Sequence, residues 1–459
     1  MSTRQKTAVG LIASVLATSG AMAKVSPEEA AVLGSPSTTY IGAERAGNAD
    51  GSIPAWDGGF KDEWIPSGWE SGEYYPNPFP NDEVLFTINA SNYTQYKDRL
   101  TPGQIAMIEA YPDTFYMNVY PSRRTAKVPD SVKESIIWNA TNTELANEGQ
   151  GMVNFREVTP FPIPSGEDAG IQAIWNHIVR WRGGIGVLQR EAAFAPQVDG
   201  SGTKISISVD FYFNPEVGQA GSDYENVIFF YISEVTAPSR LAGEITLLHE
   251  TVDQSTEPRL VWQYSPGQRR VRRAPDVGFD YPSSAGDGMT VADQVDGYNG
   301  SPERYDWKLL GKREVYIPYN SYEMNQPDVT YDMLLQRGHI DQEYQRYELH
   351  RVYEVEATLK PNQRHVYERR VMFLDEDTWQ VTLHDMYDGK GQLWRTMEVP
   401  MTYFWDVTAP WLQAYMSYDL LAKRYYIRGL VNEEQPYVFT TEFDIKDFTP
   451  SALRRRGRR

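Results

Sequence analysis

The histidines and carboxylates are the first side chains in this sequence that could support catalysis or hold a metal. His249 and Glu250 form the first half of a His-Glu-x-x-His zinc motif, but Asp253 stands where the second histidine belongs. The surrounding pattern is that of a strand, in which adjacent side chains point to opposite faces. The sequence therefore predicts no zinc site at this motif. The remaining histidines are scattered, and only the pairing of strands could bring two of them together: His177, His339, His350, His365 and His384.

Motifs for the common catalytic mechanisms are missing. The sequence has no Gly-x-Ser-x-Gly nucleophile elbow and no glycine-rich phosphate loop. It has no cysteine, which excludes thiol catalysis, cysteine-based metal sites and disulfide bonds. A carboxylate pair of the glycosidase type stays open, because 62 residues are Asp or Glu. We therefore predict no catalytic residue, no metal site and no cofactor.

A basic cluster stands out against this acidic composition. Its arginines lie in a strand pattern that follows a predicted turn over residues 265–268: Arg269, Arg270, Arg272 and Arg273. Guanidinium groups suit phosphate and carboxylate, so the cluster could contact an anionic head group or an acidic partner. The alternative, which we favour, is that these arginines pair with Asp and Glu across the sheet.

The elements that must position these residues change character at about Gly183. Before it, helical spacing predicts three short helices over residues 101–111, 130–139 and 168–180. After it, apolar residues follow a period of two, as in residues 205–213. Turn-like connections between successive strands predict an antiparallel meander. The predicted fold is mainly β (α+β), a large curved antiparallel sheet or half-barrel whose concave face is covered by short helices.

The apolar faces of the predicted strands are the best candidates for binding a ligand, because a sheet of this size tends to curl and enclose a cavity. Ordinary core filling explains each of these residues equally well when it is taken alone. The candidates are Phe211, Phe213, Phe230, Trp262, Tyr264, Tyr353 and Trp379.

The two ends of the chain differ from its middle. Residues 1–23 have a basic start, an uncharged apolar stretch and a signal-peptidase site, so we predict a signal peptide cleaved after Ala23 and a periplasmic protein, with outer-membrane association left open. Residues 24–82 predict an irregular arm, 83–449 a single half-barrel domain, and 450–459 a disordered basic tail. The formal charge of −18 argues against nucleic acid as a partner. No later stretch is long and apolar enough for an integral membrane protein.

Residues 259–276, 304–320 and 367–394 have distinctive sequences. Together they resemble a bacterial exported family of unknown function that is often labelled outer-membrane-lipoprotein-sorting-like. A looser similarity to the LolA/LolB half-barrel lipid carriers rests on two features. These are the strand, acidic turn and strand of residues 370–379, and the Tyr-Asp-Gly-Lys-Gly sequence that begins at Tyr387.

The resemblance implies a curved sheet whose helices cover a concave side that shelters acyl chains. Members of the exported family tend to be encoded beside outer-membrane proteins and RND-type lipid exporters, which the resemblance therefore implies as partners. This chain is larger than a simple carrier and has no lipobox cysteine. A role with a hydrophobic ligand is therefore implied more directly than lipoprotein sorting.

These observations predict a non-catalytic protein of the Gram-negative envelope that binds and shuttles a lipid or other hydrophobic ligand in the periplasm. An exported hydrolase or a carbohydrate-binding envelope protein is the alternative, and a cluster of His, Asp or Ser at the cavity mouth would favour it. A structural component that docks to an outer-membrane protein through the aromatic arm is a third interpretation.

Overall fold

Strands dominate the architecture of this protein, seen in a computed structural model that describes residues 24–274, 279–283 and 286–457. The predicted signal peptide lies outside these described residues. Within them, the α-helices are α1 Pro27–Ala30, α2 Pro102–Ala110, α3 Asp130–Asn142, α4 Ala169–Ile178, α5 Tyr331–Leu334 and α6 Pro450–Arg456. The first ten strands are β1 Phe86–Ile88, β2 Met117–Val119, β3 Glu144–Ala146, β4 Gly151–Val153, β5 Gly186–Phe194, β6 Ile205–Phe213, β7 Val227–Ala237, β8 Ile245–Thr251, β9 Leu260–Ser265 and β10 Arg270–Arg273. The others are β11 Tyr305–Pro318, β12 Tyr347–Leu359, β13 Arg369–Asp375, β14 Val381–Tyr387, β15 Leu393–Glu398, β16 Met401–Phe404, β17 Ala409–Leu412, β18 Tyr415–Asp419 and β19 Arg424–Thr440.

One open sheet contains 15 of the described strands, in the order β1-β2-β12-β13-β14-β15-β18-β19-β5-β6-β7-β8-β9-β10, with β11 paired to β12. Its pairs are antiparallel apart from one parallel bridge between β2 and β12. We call β5–β10 the amino-terminal meander and β11–β15 the carboxy-terminal meander. The hairpin β18–β19 joins them, because β18 pairs with β15 and β19 pairs with β5. The predicted fold, mainly β with a large antiparallel sheet, is confirmed.

The three predicted short helices are present as α2, α3 and α4. Helix α2 begins with a capping box, in which Thr101 and Gln104 each accept a hydrogen bond from the other's backbone N–H. It packs on β14 and β15, whereas α4 packs on β11 and β12. Among the residues that the structure describes, no helix combines the length and the apolar character needed to cross a membrane.

Strand β6 shows how alternation in the sequence produces two different faces. Val209 and Phe211 lie in the main hydrophobic core, on the face that the pattern predicts to be buried. Ser208 and Asp210 point to the other face and are buried as well. This polar face is covered because α6 packs against β8, β9 and β10 of the same meander.

Helix α6 corrects the prediction that residues 450–459 form a disordered tail. Thr449 caps the helix by accepting a hydrogen bond from the backbone N–H of Ala452, at 3.2 Å. Leu453 is fully buried, and Arg456 binds Glu234 of β7 at 2.8 Å. The run of like charges is therefore compatible with a helix, because one side chain enters a core and another meets an acidic residue.

Residues 24–82 form an arm with little regular structure that is held to the body by aromatic contacts. Trp69 and Tyr75 pack against Trp405, with ring centroids 5.0 Å and 4.9 Å apart. Phe60 stacks on Tyr403 at 5.0 Å. These rings are used inside the molecule, which leaves them unsuited to docking a partner in this conformation.

Candidate functional site

A cavity of about 300 Å³, which we call the central cavity, lies on the apolar face of the amino-terminal meander. Its wall takes residues from β5 to β9 and from β18 and β19, and its cover takes residues 281–283 and 290–299 together with Trp411 and Leu412. Neighbouring strands are about 4.8 Å apart. One small cavity can contact so many strands only if the sheet curves around it, so this is a concave face.

The floor of the central cavity is a row of side chains from four neighbouring strands. Phe211, Tyr231, Leu248 and Val261 lie directly opposite one another in the register of β6 to β9. Cross-strand partners point to the same face, and all four line the cavity. Phe229 extends the row, with its ring centroid 4.5 Å from that of Phe211. This surface favours an apolar chain, by about 25 cal/mol for each Å² removed from water.

One wall of the cavity carries Arg182, which forms a buried arginine pair with Arg180 behind it. Arg180 and Arg182 follow α4 and both bind Asp296, with N–O distances of 2.5 Å and 2.9 Å. All three residues are buried. The Arg182 guanidinium also lies 5.2 Å from the ring centroid of Phe213, and its Nε has no hydrogen-bond partner among the described residues.

Two further ion pairs border the cavity. Arg428 of β19 binds Glu191 of β5 at 2.7 Å and donates a hydrogen bond to the Tyr231 hydroxyl at 2.8 Å. Arg259 binds Glu250 at 2.5 Å. Together with the arginine pair, these contacts place four guanidinium groups against three carboxylates. The charge network of the central cavity therefore has a surplus of one positive charge.

The surroundings shift the pKa values of Arg182 and of Asp296 in this wall. Burial, reinforced by the neighbouring Arg180, lowers the pKa of Arg182 to about 9. Burial alone would raise the pKa of Asp296, but the two guanidinium groups outweigh it and hold that pKa below its ordinary value. Both groups are charged at neutral pH, and a cation in this position would be stabilised by a further anion. The cavity can thus hold an apolar chain on its floor and an anionic group at this wall.

Comparison with known proteins places this chain in a family. The model of a family described as "Protein of unknown function (DUF1329)" matches residues 87–454. The chain belongs to the DUF1329 family. The resemblance to a family of unknown function is thereby confirmed. An uncharacterized protein of Pseudomonas aeruginosa is 48% identical over 454 residues, which cover 98% of this chain and 97% of that relative.

Solved structures show a more distant similarity to this DUF1329 chain. A Vibrio parahaemolyticus domain, whose name assigns it provisionally to outer membrane lipoprotein sorting, has a TM-score of 0.44 and 13% identity and covers 63% of this chain and 100% of its own. A LolA superfamily protein of Nitrosomonas europaea has a TM-score of 0.34 and 12% identity and covers 59% of this chain and 92% of its own.

The DUF1329 chain brings only part of the predicted ligand-binding set together. Phe211 lines the central cavity, and Phe213 lines a neighbouring cavity of about 270 Å³ that shares Arg182 with it. Tyr353 and Trp379 are stacked 4.5 Å apart in the main core and line neither cavity. The other three candidates lie on the opposite face of the sheet, in the cluster that α6 covers: Phe230, Trp262 and Tyr264.

A β-bulge explains why Phe230 lies on the opposite face. The register between β7 and β8 shifts between Val227 and Phe229, so that Ile228 is the extra residue. Ile228 and Phe229 both reach the main core, whereas Phe230 joins the cluster beneath α6. The alternation that places Ile228 and Phe230 on one face fails at this point, and the cavity floor takes Phe229 and Tyr231 instead.

The partial zinc motif is split between the two faces of β8, as its strand pattern predicts. His249 Nε2 lies 2.7 Å from the Phe448 carbonyl oxygen, on the side covered by α6. Glu250 faces the other way and binds Arg259 and Asn299 near the central cavity. These two side chains cannot share a ligand.

The basic cluster lies at the end of the sheet, on the strand next to β9, whose residues Val261 and Gln263 line the central cavity. Arg270, Arg272 and Arg273 are exposed on β10, whereas Arg269 has a φ of 50° and belongs to the turn. In the register with β9 the opposite residues are Ser265, Gln263 and Trp262. None of these three opposite residues is acidic, so the register lends no support to the favoured interpretation, pairing with Asp and Glu across the sheet, which stays a prediction. Contact with an anionic head group or an acidic partner stays a prediction.

Sequence reasoning missed the charged residues of the central cavity. They come from distant parts of the chain, and each one alone looks like an ordinary charged residue: Arg182, Glu191, Arg259, Asp296 and Arg428. The sequence signal for this site was the pair Trp181-Arg182 shortly after the apolar helix α4. An arginine in that position has few ways to reach water. A single sequence does not show which carboxylates it meets.

Proposed function

We propose that this protein binds an amphiphilic or otherwise hydrophobic ligand, such as a lipid, in the central cavity and carries it within the periplasm. The observation that supports this most directly is the row of four opposed side chains on the cavity floor. A buried acyl chain gains about 0.8 kcal/mol for each methylene. A short stretch of chain in a cavity of about 300 Å³ therefore suffices for reversible binding.

The charged groups of the cavity favour a carrier over the alternative of an exported hydrolase. Glycosidases need one carboxylic acid with a raised pKa and one free carboxylate. Here Glu191, Glu250 and Asp296 each bind an arginine, and the pKa of Asp296 is lowered. Each of these three carboxylates is therefore already bound to a guanidinium group, and none of them is free.

The address and partners of the carrier belong to the same proposal. A signal peptide over residues 1–23 would place the mature chain in the periplasm, where an outer-membrane protein or an RND-type exporter could receive the ligand. The acidic surface of the protein is consistent with a free carrier, since the formal charge of −18 opposes binding to anionic membranes.

Filling the cavity tests the proposal. Leu248 is partly exposed and lines the cavity, so Leu248→Trp should occupy the space above the floor without entering a closed core. We expect the variant to lose binding of a fluorescent fatty acid by at least about tenfold. Leu421→Trp is the control, because Leu421 is 69% exposed on the surface.

The ligand itself can be sought by native mass spectrometry of the protein purified from its own periplasm. Recovery of a lipid with the wild-type chain but not with Leu248→Trp would support carriage. Equal recovery of lipid with both variants, or an empty chain that also takes up no fatty acid, would contradict it.

A further inference from the structure

A second group of chemically able residues lies in the carboxy-terminal meander, outside the central cavity. His350 lies on β12, Asp375 ends β13, and Asp377 follows in the turn after it. One ligand atom of each of these residues lies within 4.8 Å of the other two. All three residues are buried, with exposed fractions of 1%, 0% and 6%.

The hydrogen bonds of His350 fix the orientation of its ring and the position of its proton. Nε2 lies 3.0 Å from Glu348 Oε2. Glu348 accepts hydrogen bonds from Arg346, at 2.6 Å, and from the backbone N–H of Arg123, at 2.7 Å, so it is held as a carboxylate. A carboxylate only accepts, so Nε2 carries a hydrogen, and Nδ1 is the ring nitrogen that remains to bind a metal ion. Tyr319 stacks on the ring with 4.0 Å between the centroids and keeps it in this plane.

Nδ1 of His350 faces an oxygen of Asp375 that has no hydrogen-bond partner within the part of the chain that the structure describes. Asp375 Oδ1 lies 3.8 Å from Nδ1, which is beyond hydrogen-bond distance. This oxygen is buried and has no hydrogen-bond partner among the described residues, whereas Oδ2 accepts a hydrogen bond from Thr378 at 2.7 Å. His350 Nδ1 and Asp375 Oδ1 thus face each other across a gap that no hydrogen bond between them closes. A cation placed in the gap would satisfy both atoms.

Asp377 completes the set of ligands and gives access to it. Its two oxygens accept hydrogen bonds from Arg124 at 2.8 Å and 2.7 Å, which orient the carboxylate and leave one lone pair on each oxygen. Asp377 also lines a cavity of about 370 Å³ beneath the arm, where Thr39 and Trp56 form part of the wall. An ion can therefore reach the group from this side.

We propose that His350 Nδ1, Asp375 and Asp377 bind a divalent transition-metal ion of the Zn²⁺ or Mn²⁺ class. One imidazole and two carboxylates are a donor set that these ions accept, with water in the remaining positions. Glu348 behind His350 and Arg124 behind Asp377 supply the outer hydrogen bonds that orient metal ligands.

The site would join three parts of the fold. The Arg124 guanidinium donates hydrogen bonds to the carbonyl oxygens of Glu44, at 2.7 Å, and of Arg45, at 3.3 Å, in the arm. A metal bound to Asp377 would therefore connect β12, the turn after β13 and the arm. Its role is structural, and it is independent of any ligand in the central cavity.

The first test is the metal content of the whole mature protein purified from its own periplasm, by native and elemental mass spectrometry. We expect about one transition-metal ion per chain. Protein stripped with a chelator should bind Zn²⁺ or Mn²⁺ in calorimetry and melt at a higher temperature once loaded. Mg²⁺ and Ca²⁺ should bind more weakly, because imidazole is a poor ligand for them.

Matched substitutions make the test specific. Asp375→Asn should weaken Zn²⁺ binding by about 100-fold or more. Asp385→Asn is the control, because Asp385 is equally buried but both of its oxygens have partners, Thr396 at 2.8 Å and the Gly103 N–H at 2.9 Å. If Asp375→Asn does not fold, His350→Gln replaces it. A metal-free native protein that binds neither ion, or equal binding by Asp375→Asn and wild type, would overturn the proposal.

Discussion

The two meanders of the sheet differ in how their buried carboxyl groups are paired. The amino-terminal meander and its neighbours place four guanidinium groups around three carboxylates at the central cavity. The carboxy-terminal meander buries carboxylates that have no Lys or Arg nitrogen within 4.0 Å among the described residues: Asp375, Asp385 and Glu398. Unbalanced buried charge is costly unless something else compensates it. Under the two proposals made above, an anion near Arg182 and a cation near Asp375 would supply this compensation.

The largest effect should come from removing the shared carboxylate of the arginine pair. Asp296→Asn would leave Arg180 and Arg182 buried without an anionic partner, and we expect a loss of about 3–5 kcal/mol in the free energy of unfolding. Denaturant titration measures it. Asp306→Asn on the exposed edge of β11 is the control and should change stability by less than about 0.5 kcal/mol. If Asp296→Asn and Asp306→Asn lose equally little stability, Asp296 does not compensate the charges of Arg180 and Arg182 as we describe.

Glu398 tests the carboxy-terminal meander in this comparison, through the pH dependence of the free energy of unfolding. Burial raises the pKa of Glu398 to about 7 from its ordinary value of 4.5, although the Tyr347 hydroxyl donates to it at 2.9 Å. The folded chain therefore binds a proton that the unfolded chain has released between about pH 4.5 and pH 7, so stability falls as the pH rises through this window.

Glu398→Gln should remove this fall. Relative to the variant, the wild type should lose roughly 3 kcal/mol between pH 4 and pH 8, measured by denaturant titration at several pH values. Glu442→Gln, at an exposed position, should keep the wild-type profile. A parallel pair of curves for wild type and Glu398→Gln would show that this carboxylate is compensated in the folded protein.

The charge of the ligand should affect its affinity for the central cavity, and this can be measured. We expect a fatty acid to bind about tenfold more tightly than the alcohol of the same length, because a hydrogen bond to a charged group contributes about 1.5–3 kcal/mol. Arg182→Gln should abolish this difference and leave the alcohol unaffected. Arg190→Gln is the control, since Arg190 binds Asp210 on the opposite face at 3.3 Å. Equal affinity of the wild type for both ligands would contradict an anion site at Arg182.

The smallest effect on stability should come from the exposed arginines of β10. The double substitution of Arg270 and Arg272 by Gln removes two exposed charges from β10. Exposed pairs and charges contribute little, so we expect the melting temperature to stay within about 2 °C of wild type. A larger decrease would mean that these side chains make stabilising contacts comparable with those of the buried arginines.

The strands of the sheet could be predicted from the sequence because each strand has a local pattern of apolar and polar residues. The alternation over residues 205–213 predicts β6, and the turn over residues 265–268 predicts the β9–β10 hairpin, in which the Arg269 N–H donates to the Ser265 carbonyl at 2.8 Å. Both signals lie within a few consecutive residues. They do not depend on what the rest of the chain does.

The site could be predicted only in part because it depends on register and on distant partners. Because Ile228 is an extra residue in β7, the cavity floor contains Phe229 and Tyr231 and not the predicted Phe230. The ion pairs join residues that are far apart, as in Arg428 with Glu191. A run of arginines looks the same in the sequence whether it forms a tail or, as here, a helix with one buried leucine.

The two end strands of the sheet affect how easily a second copy of the chain could pair with the sheet at these ends. Strand β1 has only three residues, and β10 has four, of which three are exposed arginines. Short ends offer few unpaired backbone groups, and like charges on the same end of two copies repel. At these two ends, the 15-stranded layer therefore offers little to which a second copy of the chain could add a strand.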